Sequence, residues 1–120
     1  MSPHDAMNQI DALVAHVWMV RTFLKHCEEL DEDDDLRVVH RACYDYPLAL
    51  GEAWKNQDAA AYLRQAKRKL RKLREASELF AEIQPEVSTH TNFEMAVRSL
   101  HAAVNTIDEV ITSIAAKSKE

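Results

Sequence analysis

Between Arg64 and Arg74 the chain reads RQAKRKLRKLR, seven basic residues and no acidic one. Guanidinium and ammonium groups at that density suit the neutralisation of phosphates along a nucleic-acid backbone. Arg64, Lys67, Arg68, Arg71, Lys72 and Arg74 are the candidate contacts. No aromatic residue interleaves the run to stack on bases, since Tyr62 precedes it and Phe80 lies beyond it. The alternative is a solvated helix face, partly neutralised by acids on adjacent helices or subunits. The chain as a whole carries −5, so the remainder is strongly acidic. Salt confines such fields to about 8–10 Å, which lets an acidic chain present one basic face.

Other chemistries lack their parts. A di-iron bundle needs inward carboxylates and two Glu-x-x-His pairs, and no Glu-x-x-His occurs. His26 with Glu29, and His90 with Glu94, have the reverse order. His40 and Cys43 lie one helical turn apart, but two ligands do not make a metal site. As a nucleophile Cys43 has no third group to orient His40 and no evident oxyanion donor. His4, His16 and His101 read as surface or boundary residues. With a single glycine there is no phosphate-cradling loop. The acidic run EELDEDDD, residues 28–35, lacks the glycine and the later glutamate of a calcium loop and reads as an exposed connection whose last aspartates can cap the second helix. The expectation is a protein that is not an enzyme, with no catalytic residues, metal or cofactor.

The elements that must carry these residues are helices. The chain has 120 residues, 47% of them hydrophobic, with one glycine and three prolines, so few turns are possible. A first helix starts at Ser2 as N-cap, with Pro3 and Asp5 in its first turn. Its stripe is Ile10, Leu13, Val14, Val17, Val20, Leu24 and Cys27. Trp18, Met19 and Phe23 fall off that stripe, and they predict a subunit interface covering a second apolar patch. The alternative is a bend in the second helix that brings them into the core. That helix is marked by Leu36, Val39, Cys43, Tyr46, Leu50 and Trp54, with a kink predicted near Pro47. Ala49, Gly51 and Ala53 would let a neighbouring backbone approach.

Asn56 can end the second helix and Asp58 can cap the third, predicted over 59–83 and broken at Pro85. Leu63, Ala66, Leu70, Leu73, Ser77 and Phe80 form its heptad stripe, with Ala76 and Ile83. The fourth helix is capped by Thr91 with Glu94, or by Ser88, and its stripe runs through Phe93, Val97, Leu100, Val104, Ile107, Ile111 and Ile114. The predicted fold is all-α, an antiparallel up-down-up-down four-helix bundle forming a single domain over 1–120. No apolar run approaches the ~20 residues of a membrane span. The expectation is no membrane association and no signal peptide. Cys27 and Cys43 read as buried thiols, which suits a reducing, cytoplasmic setting.

HRACYDYPLALGEAWKN resembles the second-helix signature of the four-helix bundle proteins encoded in intervening sequences of 23S ribosomal RNA genes. The matching positions are Arg41, Ala42, Pro47, Leu48, Gly51 and Glu52. YLRQAKRKLRKLREASELFAEI and MAVRSLHAAVNTIDEVITSI are similar to that family's last two helices, and equally to those of the accessory variability protein of diversity-generating retroelements. The resemblance covers residues 36–116. It implies a four-helix bundle that assembles into a ring-like homopentamer, and the expected function is that of a non-enzymatic binding or adaptor protein of this type. The retroelement branch further implies nucleic-acid binding through a basic surface beside a reverse transcriptase. Those relatives are strongly basic, whereas this chain carries −5.

Overall fold

A computed structural model describes residues 1–118. Among them four α-helices follow one another: α1 (Pro3–Lys25), α2 (Asp34–Lys55), α3 (Ala59–Val87) and α4 (Thr91–Ser118). A short 3-10 turn, Glu28–Glu32, lies between α1 and α2. No strand occurs among the described residues. Short connections force sequence neighbours to run antiparallel. α1 packs on α2 and α4, α3 packs on α2 and α4, and α1 meets α3 across the diagonal. This is the up-down-up-down bundle, with extents of 47 × 25 × 19 Å.

Local chemistry sets most helix ends. The Ser2 hydroxyl accepts from the Asp5 N–H, and the Asp5 carboxylate accepts from the Ser2 N–H, a reciprocal capping box. Those two bonds hold the Asp5 carboxyl below its usual value. Within the acidic run, Asp33 caps α2 by accepting from the Leu36 N–H at 2.9 Å. Asn56 closes α2 and Asp58 caps α3, accepting from the Ala61 N–H at 3.1 Å. Gln57 between them takes φ 52°, the left-handed turn that so short a reversal requires.

Two predicted ends are corrected. α3 does not stop at Pro85 but runs through it to Val87. In the last turn the missing proline N–H removes one bond, and the Ser88 N–H still reaches the Gln84 carbonyl at 3.0 Å. α4 is capped neither by Thr91 nor directly by Ser88. His90 precedes the helix, and its Nδ1 accepts from the Asn92 N–H at 3.0 Å. Ser88 supports that turn through Oγ, which accepts from the His90 N–H. α2 passes through Pro47 as one continuous helix, although the Cys43 carbonyl there loses its usual donor.

The core follows the predicted stripes with additions. Met7, Ile10, Val17 and Leu24 of α1 meet Leu36, Val39 and Leu50 of α2, Leu73 and Phe80 of α3, and Leu100 and Ile107 of α4. Burying each such side chain contributes about 1.5–3 kcal/mol. Leu63, predicted as core, is only partly buried, and its neighbour Tyr62 is fully enclosed. The Tyr62 hydroxyl donates to Asp11 of α1 at 2.8 Å, so the ring can cross the core with its polar end satisfied. Tyr46 likewise donates to the Ala66 carbonyl at 2.9 Å, tying α2 to α3. Burial raises the pKa of both phenols, most for Tyr62, where Asp11 adds to it.

Candidate functional site

α3 carries the predicted basic surface, and helical geometry divides it. Arg64, Lys67, Arg71 and Arg74 recur at i, i+3, i+7 and i+10, one strip at about 100° per residue. Arg74 pairs with Asp108 of α4 at 3.2 Å, which places this strip on the α4 side. Lys72, together with Lys69, faces the α2 side instead, where both border a groove. Arg68 lies between the two edges, turned away from the core. The run therefore wraps the outer arc of the helix, and one flat ligand reaches only part of it.

Its neutralisation is incomplete. Arg71 pairs with Glu75 one turn along α3 at 3.2 Å, and both side chains stay mostly in water. Arg64, Lys67, Arg68, Lys69 and Lys72 have no acidic partner among the described residues. The acidic run at 28–35 does not supply one. Its Asp34 pairs with Arg37, whose guanidinium also donates to the Leu30 and Asp31 carbonyls. That local collar consumes Arg37 and leaves α3 untouched.

The predicted interface residues of α1 separate. Trp18 and Met19 are 39% and 62% exposed. They border a groove of about 370 Å³ with Val14, Pro47, Leu50 and Trp54. Phe23 is not part of that patch. It is half-buried and meets Phe93 of α4 edge to face at 5.0 Å. Trp54, predicted as core, is 36% exposed. It sits at the end of α2, where one side of the indole leans on Tyr62 at 6.2 Å and the other side opens onto the groove. Gly51 opens onto the same groove, and a Cβ placed there meets nothing within 4 Å. The close backbone approach expected at Gly51 is absent among the described residues.

A second and larger groove, of about 710 Å³, runs between α2 and α3. Tyr46, Leu73 and Ala76 lie within it, and the exposed Val38 and Leu48 stand at its α2 edge. Periodicity could not reveal it, because both edge residues fall outside the core stripe.

Burial pushes the Cys43 thiol up to about 12, so it is a poor nucleophile. His40 is half-buried and forms no hydrogen bond with Cys43. Among the described residues no three His, Cys, Asp or Glu side chains converge to hold a metal ion. None of the described helices is long and apolar enough to cross a membrane. No protein-family model, curated protein or solved structure matches the chain.

Proposed function

We propose that this chain is a non-enzymatic binding or adaptor protein that works as a homo-oligomer, of the type that the intervening-sequence proteins represent, in the cytoplasm. The groove around Gly51 carries the proposal. Trp18, Met19 and Trp54 leave large apolar surfaces in water there, a costly arrangement for an isolated monomer. A glycine within a helix costs about 1 kcal/mol against alanine, and nothing in the chain's own packing explains this one. A second copy seated on the groove accounts for both features. Five copies is the number that the resemblance implies. Light-scattering mass measurement tests the reading. The expected result is a multiple of 13.7 kDa at micromolar concentration that falls toward a single chain in Met19→Glu. A monomeric wild type overturns it.

A second reading is a nucleic-acid-binding accessory protein of a retroelement reverse transcriptase, acting through the basic face of α3. It is favoured by the five bases of α3 that have no acidic partner among the described residues. Binding of this kind is backbone-directed, sequence-indifferent and strongly salt-dependent. Gel shifts at low and moderate salt, repeated with Arg68, Arg71 and Lys72 changed together to Glu, test it. Retention that ignores salt, or survives the triple change, returns α3 to a solvated face.

A further inference from the structure

A second cationic cluster spans α1 and α2, and its Arg41 also borders the α2–α3 groove with Lys69 and Lys72. The Arg21 Cζ lies 4.3 Å from the centre of the Trp18 ring and 5.6 Å from that of Tyr44. The Arg41 Cζ lies 5.9 Å from the same Tyr44 ring, so two guanidiniums flank one phenol. Lys25 follows Arg21 by one helical turn, and His40 adjoins Arg41. Burial lowers the His40 pKa, and the positive charges of Arg21, Lys25 and Arg41 lower it further.

The cluster is short of negative charge. Arg41 pairs with Asp45 at 3.0 Å. Arg21 and Lys25 have no acidic partner among the described residues. Glu28 and Glu29, in the 3-10 turn after α1, form no ion pair with either. Arg21 Nε and His40 Nε2 are buried and have no hydrogen-bond partner. Leaving such groups unsatisfied is unfavourable, and gathering like charges adds to it. The Trp18 face stabilises the Arg21 guanidinium but offers it no acceptor atom. What the cluster lacks is an anion with several acceptor oxygens.

We propose that Arg21, Lys25, His40 and Arg41 form a binding site for a phosphoryl group, with Trp18 and Tyr44 fixing the two guanidiniums. The planar fork of arginine matches phosphate oxygens in pairs. Three cations against the single carboxylate of Asp45 leave an excess that suits the roughly −1.5 to −2 of a phosphomonoester better than one carboxylate. A small phosphate ester and a nucleic-acid backbone share this contact chemistry. The four contacts of the site come from α1 and α2, although Arg41 also borders the α2–α3 groove and Trp18 borders the groove around Gly51.

The test is a nitrogen-edited NMR titration of the full chain at physiological ionic strength. The probes are inorganic phosphate, adenosine monophosphate, a short oligothymidylate and a glutamate-rich peptide. Saturable shifts of the Arg21 Nε–H and the His40 ring with phosphate or its esters are expected. Arg21→Gln should weaken binding about tenfold, the scale of one charge-assisted contact. Lys25→Gln, at an exposed position where folding is not at risk, should weaken it several-fold. Changing Arg64, Lys67 and Arg68 together to Gln, on the part of α3 that does not border the groove with Arg41, should leave binding as in wild type, which separates this site from the α3 reading. A stronger response to adenosine monophosphate assigns a small ester, and a stronger response to the oligonucleotide assigns a backbone phosphate. No saturable shift with any phosphate probe, a response to the acidic peptide alone, or binding unchanged in both single variants overturns the proposal.

Discussion

The two buried phenols differ in what they hold. Tyr62 donates to a carboxylate across the bundle diagonal, and Tyr46 donates to a neutral carbonyl of the adjacent helix. Hydrogen bonds to charged groups contribute about 1.5–3 kcal/mol and neutral ones about 0.5–1.5. Tyr62→Phe should therefore cost more stability than Tyr46→Phe in urea unfolding, and equal losses would count against this difference. His40 makes a pH prediction. Its folded pKa is lowered, so the unfolded chain binds the proton more readily. Its contribution is intact above the usual histidine range, near pH 6.5, and declines as pH falls through it. The urea midpoint should drop on acidification in this window, and less so in His40→Gln. Neither phenol role nor the imidazole's cationic surroundings was legible in the sequence. Each depends on a partner from another helix, and spacing along one helix carries no information about such partners.

At the level of elements the sequence was far more informative. Ser2, Asp33 and Asp58 cap as their types and positions predict, because a cap is a contact within one turn. The stripes located most of the core for the same reason. The errors fall where tertiary position overrides local preference: Leu63 gives way to Tyr62, Trp54 sits at a bundle end, and Pro85 is tolerated in a last turn. Gly51 is the informative exception. Its helix gains about 1 kcal/mol from alanine and meets no clash within the chain. Gly51→Ala should thus raise the stability of the dilute protein. If a second copy packs on the groove, the same change should weaken assembly, so thermal midpoint and mass should move in opposite directions. A rise in both would remove the groove from the interface.

On the scale of the whole molecule, opposite charges lie on different elements, the acidic collar before α2 and the basic arc of α3. Two modes of self-association are then open, one through the apolar groove and one by pairing collar to arc between copies. Salt distinguishes them. At about 1 M the screening length falls to roughly 3 Å, which dissolves charge pairing but leaves apolar contacts. If the proposed oligomer forms through the groove, its mass should persist in strong salt. Dissociation there would transfer the interface from Trp18, Met19 and Trp54 to the charged surfaces. Fold class and helix order could be read from periodicity alone, whereas both grooves arise from how outer faces of neighbouring helices meet.

The thiols give the fold its own clock. Thiol reagents attack the thiolate, and both cysteines are held in the protonated form. Cys27 lies just past the end of α1, where partial burial raises its pKa and its Sγ donates to the Leu24 carbonyl at 3.1 Å. Cys43 lies mid-helix in the sealed core, pushed up to about 12. Labelling of Cys27, already partly exposed, needs at most a local opening beyond α1, whereas labelling of Cys43 needs the core to open. The difference between the two rates measures how far the molecule's loosest corner is uncoupled from its global unfolding.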